Sequence, residues 1–413
     1  MQRDDFPRVL AAESVSNFGS MLSRLAIPWL AALQLQATPA QMALLLMADV
    51  AAAAAGALLL GSWVDRQGKR KVMLIADGLR AALLAGLALA AWRGSLNFLA
   101  LALAAAASGL LTVSFELARS AWTAQRVAPG NLPRRNAQLS VAGSVSETAA
   151  FALGGWLYQG LGAALSLAVD ALSYAVSALC LRGVAEVPGA APAVATGSPW
   201  RALFAEAAEG LRAVAAQPAL RALAGVQALV AFAMALFGTS FMIFASRDLG
   251  LPTGQLGMIF AIGGLGSVLG ASLAPRLGRR IGAGSTVTLG LAIFALGAAC
   301  PPLAQGAGLS AVILLVLQQI VGDAGHSLYD VHDRTLRQTL VASALLARAD
   351  AGIRSAGHLA TLAGAWVGGV LGTAYGTRSV LWLAGAAIVA AAVWAWLRLA
   401  SRHPGTAPQR RLG

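Results

Sequence analysis

Charged side chains are scarce in this sequence: Asp, Glu, Lys and Arg make up 11% of 413 residues, against roughly 25% in ordinary soluble domains. That shortage excludes a water-soluble fold, which has too little polar surface to cover itself at such a composition. Acid is the scarcer sign, with 17 Asp and Glu against 30 Lys and Arg, for a net charge of +13. Such an excess would suit a nucleic-acid binder if it formed one face. Instead the basic residues recur as short clusters between apolar runs, as in a multispanning protein, and no nucleic-acid partner is expected. Cysteine is almost absent: Cys180 and Cys300 stand far apart in apolar runs, without metal-ligand spacing, and read as packing residues. No phosphate-binding loop, hydrolytic triad or metal-peptidase motif occurs, so ATP-driven transport and hydrolysis find no support. Neither an enzyme, a metal nor a bound cofactor is expected.

What is present is apolar sequence: 58% hydrophobic residues and a mean hydropathy of +0.71. A helix needs about 20 apolar residues to cross roughly 30 Å of hydrocarbon. Six segments qualify at 9–35, 41–63, 73–92, 97–118, 138–160 and 163–182, and six more at 219–244, 254–275, 284–305, 308–330, 348–373 and 377–398. The fold class expected is all-α, with twelve transmembrane helices in two pseudo-symmetric six-helix bundles. The polar start, Met1 to Arg8, leads into an apolar run without a cleavage-like end, which fits an uncleaved first span. If the N-terminus is cytoplasmic, the inner loops hold most of the Arg and Lys, and the outer loops hold only Arg93, Arg247 and Arg378. That asymmetry places both termini inside, in a bacterial inner membrane.

The expected organisation is a bundle over 1–182, a cytoplasmic linker over 183–218, a bundle over 219–399 and a tail over 400–413. Residues 183–199 are rich in Pro, Ala and Gly and read as flexible or extended. Residues 200–216 read as an amphipathic surface helix, closed by Pro218. The halves repeat each other. An offset of 214 carries Phe115-Glu116 onto Tyr329-Asp330, Gly154-Gly155 onto Gly368-Gly369 and Gly162 onto Gly376. An offset of 210 carries Arg66, Gly68, Lys69 and Arg70 onto Arg276, Gly278, Arg279 and Arg280, with both copies expected between spans.

The sharpest motif is Gly61-Ser62-Trp63-Val64-Asp65-Arg66-Gln67-Gly68-Lys69-Arg70. Gly61 permits close helix approach, Gly68 a tight turn, and Asp65 is placed to face a helix N-terminus. The basic residues are expected to pair with an acid on a neighbouring helix, with Glu116 as the candidate, to latch the cytoplasmic side. The plainer alternative is a positive-inside loop with a turn. In the second copy Ala271 replaces the glycine and Pro275 the acid.

This loop resembles the signature of the major facilitator superfamily. Asn131-Leu132-Pro133-Arg134-Arg135-Asn136-Ala137, Gly154-Gly155 and Asp170-Ala171-Leu172-Ser173-Tyr174 look like its enterobactin-exporter and drug-exporter branch. The resemblance implies two six-helix bundles, alternating access, and export of drug-like or siderophore-like compounds driven by a proton gradient. One departure stands in span five: antiporter members carry Gly-Pro ahead of the glycine pair, and this chain has Ala150-Phe151.

Ionisable residues within spans are costly and are functional candidates. Arg24 lies about 22 Å above the inner boundary and Asp49 about 12 Å below the outer one at 1.5 Å per residue, so the two are expected to pair or to handle substrate or protons. Glu147, near the midplane, is the first choice for a proton site, the alternative being a hydrogen-bonded structural carboxyl. Asp170 reads equally as a structural contact or a cavity residue. Asp350, Arg354 and His358 share a helix face, with Arg354 serving an inner gate and His358 either carrying a proton or packing. Asp323, His326 and Asp330 are expected to cluster on one face near Arg334 and Arg337 as a cytoplasmic gate. For Asp77 and Arg80 a local pair is the default. The resulting expectation is a monomeric secondary transporter in the lipid bilayer that exports a small hydrophobic or amphipathic molecule. The alternatives are a lipid or lysolipid transporter and a non-transporting membrane sensor or scaffold.

Overall fold

A computed structural model describes residues 5–189, 212, 214–215, 217–340 and 343–400. The surface helix expected over 200–216, three residues apart, and the tail beyond 400 lie outside the described residues. The described chain is helical, and its helices start where local chemistry stops the preceding turn. Helix α2 (Pro39–Arg66) opens on a capping box: Gln41 donates its backbone N–H to the Thr38 hydroxyl, and Thr38 donates its own to the Gln41 side chain. Helix α4 (Phe98–Arg126) is capped by Asn97, which accepts from the Ala100 N–H at 2.9 Å.

The remaining spans are α1 (Phe6–Trp29), α3 (Lys69–Trp92), α7 (Pro218–Ile243), α8 (Thr253–Ile281), α9 (Ala283–Ala298), α11 (Ser343–Tyr375) and α12 (Thr377–Ala395). Spans five and six form one helical stretch, Leu132–Arg182, broken at Gly162 into α5 (132–161) and α6 (163–182). Span ten, α10 (309–340), passes through a π turn at Gln318–Gly322. Among the described residues nine helical segments are long and apolar enough to cross a membrane, the longest of them holding both α5 and α6. The polar and charged residues of α1 and α11, such as Glu13, Arg24, Arg354 and His358, dilute their apolarity, and with these two the spans number twelve. Helices α4 and α10 run eight to ten residues beyond their expected ends at 118 and 330, and on α10 the added turns carry i,i+4 ion pairs such as Arg334 to Asp330 at 2.9 Å.

One register relates the halves throughout. Residues 214 apart are equivalent at the π turns Leu30–Gln34 and Phe244–Asp248, the positive-φ residues Gln36 and Gly250, the caps Gly68 and Gly282, and the breaks Gly162 and Gly376. The offset of 210 expected for the basic loop is therefore corrected. Arg276, Gly278, Arg279 and Arg280 lie in the last turns of α8, which continues past Pro275 to Ile281, and the turn is made at Gly282. Gly162 has φ 75° and ψ 177°, a region open essentially to glycine alone. Gly162→Ala is expected to cost about 1–3 kcal/mol, read as a lower melting temperature of detergent-solubilised protein; an unchanged melting temperature would show that the break tolerates a side chain.

The two halves, α1–α6 and α7–α12, meet chiefly through α2 on α11 and α5 on α8. At the end away from the termini they share one apolar core, in which Trp29, Leu30, Leu101 and Leu167 join Phe241, Phe244, Leu256 and Leu315. At the termini side each half keeps its own core, around Phe6, Met73 and Trp122 in one and Val226, Leu291 and Phe294 in the other. The hydrogen bonds between halves follow the same division. Arg247 donates to the Ala37 carbonyl at 3.0 Å and Gly254 N–H to Gln159 at 2.9 Å, both at the far ends. The molecule is thus closed on the far side and parted on the termini side.

Candidate functional site

Between the halves lies a cavity of about 700 Å³ whose walls come from α1, α2, α3, α4 and α6, with Gly238 alone from the second half. Its apolar lining includes Ile27, Met42, Leu45 and Val113, and its ionisable lining is Glu13, Arg24, Asp49, Arg80, Glu116 and Asp170. Apolar walls with a few convergent polar groups suit a drug-sized ligand.

The polar groups are organised by a buried ion pair. Arg80 donates to Asp77 at 2.6 Å, and the Ser177 hydroxyl donates to the second Asp77 oxygen, also at 2.6 Å. Both ions are buried, a placement that requires this pairing because an unpaired charge is expensive in low dielectric. The Arg80 guanidinium lies over the rings of Tyr174 (4.3 Å) and Phe115 (4.9 Å). The Tyr174 hydroxyl bonds Ser20 at 2.7 Å, and beside it Asp170 accepts from Ser23 and Ser173. Gly19 makes the last contact possible, since a Cβ there would lie 2.7 Å from Ser173 Cβ.

The repeat supplies an internal control. At an offset of 214, Asp77, Arg80, Tyr174, Ser177 and Asp170 correspond to Leu291, Phe294, Ile388, Ala391 and Ala384, all buried apolar residues. A half of this fold therefore packs without the network. A buried ion pair that packing does not require points to function.

The family model described as Major Facilitator Superfamily matches residues 9–345. The chain belongs to the major facilitator superfamily. It is a multi-pass membrane transporter, not an enzyme. Among curated relatives, the multidrug efflux pump Tap of Mycobacterium tuberculosis is 30% identical over 318 residues, 75% of this chain and 75% of the relative. Among solved structures, a bacterial homologue of the iron transporter ferroportin in its inward-facing state matches with a TM-score of 0.76 at 18% identity, covering 97% of this chain and all of that one. The same homologue in its outward-facing state scores 0.58 at 17% identity, covering 95% and 98%. The nucleoside transporter NupG scores 0.75 at 14% identity, covering 97% and 100%. These likenesses carry the fold.

In this superfamily member the loop motif is a socket within one half. Lys69 is 1% exposed and its ammonium donates to the carbonyls of Val64 (2.7 Å) and Asp65 (2.8 Å), closing the end of α2. The acid at the start of α3 is Glu186, beyond α6: its two oxygens accept the N–H groups of Arg70 (2.8 Å) and Lys71 (3.2 Å). Several expectations are corrected here. Asp65 does not face that helix start; it is 70% exposed, with Lys69 at 3.9 Å. Glu116 does not receive the loop's basic residues, because α4 runs on to Arg126 and leaves Glu116 about 15 Å short of its end at 1.5 Å per residue. It lines the cavity instead, and Arg70 approaches Glu186 at 3.8 Å. Gly68 makes no positive-φ turn (φ −61°); a Cβ there would lie 2.8 Å from the Glu186 carboxyl carbon. Gly61 has open space where a Cβ would stand, so it mediates no close approach, and Arg66 is exposed. Residues 183–187, expected as flexible linker, are docked: Trp122 donates to the Ala185 carbonyl, Ala185 N–H to Asp5 and Lys69 N–H to the Val187 carbonyl.

Of the other expected residues, Arg24 and Asp49 both face the cavity and the charge of Arg24 acts on Asp49, but among the described residues no direct ion pair joins them. Glu13, which the sequence reading passed over, pairs with Arg119 at 3.0 Å. Asp323, His326 and Asp330 do not form one cluster. Asp323 turns to α8, His326 packs edge-on against Phe294 and Tyr329, and Asp330 binds Arg334. The buried acid beneath them is Asp333, paired with Arg337, which also approaches Asp350 at 3.7 Å. Arg354, His358 and Glu147 are exposed. Glu186, Glu13 and Asp333 were missed because their partners are up to 116 residues away or hidden by helix ends drawn too early. The fall of Asp77 and Arg80 on one face of an apolar span was the legible signal for the network.

Proposed function

We propose that the chain exports a small hydrophobic or amphipathic molecule by alternating access, coupled to protons, as a monomer in a bacterial inner membrane with both termini in the cytoplasm. The observation that carries this reading is the cavity parted toward the positively charged loops and walled by one half, with a buried ionic network that packing does not need. A positive-inside orientation makes that side cytoplasmic, so the structure is the state that loads from inside. The relative named as a multidrug efflux pump supports the direction of transport. Apolar wall area recognises an amphipathic compound without demanding one shape, and the carboxylates offer sites where a proton and a substrate exclude each other.

The test is a panel of antibacterial compounds applied to a deletion strain and to the same strain overexpressing the protein. Overexpression is expected to raise tolerance to several apolar or amphipathic compounds, and to lose that effect when a protonophore collapses the gradient. A panel with no shift would overturn export, and a shift insensitive to the protonophore would overturn proton coupling.

A further inference from the structure

Between Asp248 and Asp323 the sequence has no Asp or Glu, and its only charged residues are Arg276, Arg279 and Arg280, in the last turns of α8. All three are exposed, and among the described residues none meets an acid. On α10, which packs on α8, Asp330 is held by Arg334 and Asp333 by Arg337. Arg276 and Arg280 stand four apart on one helix face, and like charges at that spacing repel. The same face carries Leu265, Leu269 and Leu273, all exposed. It is turned away from both neighbours, since α8 meets α10 at Gly263, Gly266 and Gly270 and meets α5 at Gly257 and Gly264. It contributes nothing to the cavity. From Leu265 to Arg276 the stripe runs about 16 Å at 1.5 Å per residue, which is one leaflet of a hydrocarbon core of roughly 30 Å. The repeat again serves as a control. At an offset of 214, Leu265 and Leu269 correspond to Ala51 and Ala55, Arg276 to Ser62 and Arg279 to Asp65. The first half therefore has neither the leucine stripe nor an arginine pair without an acid.

We propose that this face of α8 binds an anionic glycerophospholipid, with the phosphate between Arg276 and Arg280 and an acyl chain along Leu273, Leu269 and Leu265. A guanidinium fork matches phosphate oxygens in bidentate fashion, and one phosphate between the two arginines relieves their repulsion. Their long side chains carry the charge from the helix to headgroup depth. A soluble anion would use the arginines alone, whereas an apolar stripe continuous with them and one leaflet long selects a lipid. A headgroup of net negative charge is preferred to a zwitterionic one, because no acid stands beside the arginines to receive an ammonium group. The lipid belongs to the cytoplasmic leaflet on the positive-inside orientation given above. Bound there, it fixes the depth of α8, the helix against which α5 of the other half packs.

The experiment needs no transport substrate. Native mass spectrometry of the full-length protein, in detergent holding equal amounts of phosphatidylglycerol and phosphatidylcholine, counts the lipids retained. The wild type is expected to retain phosphatidylglycerol in preference. Arg276→Gln with Arg280→Gln is expected to weaken that binding by roughly thirtyfold at an unchanged melting temperature, because both side chains are exposed. Arg134→Gln with Arg182→Gln removes the same charge from exposed positions on α5 and α6 and is expected to leave binding as in the wild type. Leu265→Ala with Leu269→Ala is expected to weaken retention of the lipid and not the binding of inorganic phosphate. Equal losses from the two arginine pairs would reveal a diffuse surface attraction and overturn the site, as would full retention by the α8 arginine variant. Displacement of phosphatidylglycerol by inorganic phosphate, with the leucine variant unaffected, would make this a site for a soluble anion and overturn the lipid. Compound tolerance is scored in cells, so failure of the exporter reading leaves this result unchanged.

Discussion

Replacing Asp77 by Leu and Arg80 by Phe together is expected to give a protein that folds and does not transport. These are the residues that the second half carries at the equivalent positions, Leu291 and Phe294, where they pack fully buried. Exchange of a buried ion pair for apolar residues of similar volume is often neutral or stabilising. The Ser177 hydroxyl, which loses its acceptor, can turn to a carbonyl of its own helix. Arg80→Ala alone should behave differently, because it strands Asp77 as an uncompensated buried charge at a cost of about 3–5 kcal/mol, enough to remove much of the stability of a typical domain. Melting of the solubilised protein separates the two variants, and compound tolerance reads transport. A double variant that still confers tolerance would show that the network is structural.

Gly155→Leu is expected to fail at the opposite end of the molecule. A Cβ on Gly155 of α5 would lie 3.0 Å from the Gly257 backbone of α8 and nearer still to the Thr253 carbonyl, at the point where Thr253 donates to the Gly155 carbonyl at 3.3 Å. The far-side closure is built on this contact of backbone on backbone. Forcing a side chain into it costs about 1–3 kcal/mol of overpacking, which lowers the closed-to-open ratio by roughly 5-fold to 150-fold. Transport should fall by at least about fivefold. A cysteine at Ile27 on the cavity wall should become reactive toward an impermeant reagent added from the far side. Intact transport with an unreactive cysteine would show that the helices can close by another packing.

The glycine pair Gly154-Gly155 was legible as a motif, and the structure gives each glycine a different neighbour. Gly155 meets α8, whereas a Cβ on Gly154 would meet Leu22 and Leu25 of α1. Asp170 was legible as an ionisable residue in an apolar span, but its partners Ser23 and Ser173 are ordinary residues that nothing in the sequence distinguishes. The loop motif was recognised in full and assigned the wrong acid. Glu186 sits in a stretch whose Pro and Gly content reads as linker, and only the docked backbone of residues 183–187 brings it to α3. The register of the repeat was found correctly over the stretch from Phe115 to Gly162 and misread by four residues at the basic loop, because Arg and Gly recur there at a spacing that a continuing helix also satisfies.

The sequence by itself determined the number of spans, the side on which the charged loops gather, the twofold repeat and the family. These depend on apolar length and on charge counted along the chain, which are local quantities. The tertiary structure decided which half holds the chemistry, which acid caps α3 and which side of the molecule is parted. Those follow from the rotation and tilt of helices whose contacting residues stand 100 or more positions apart, as Ser177 and Asp77 do, and no periodicity within one helix specifies what its neighbour presents to it.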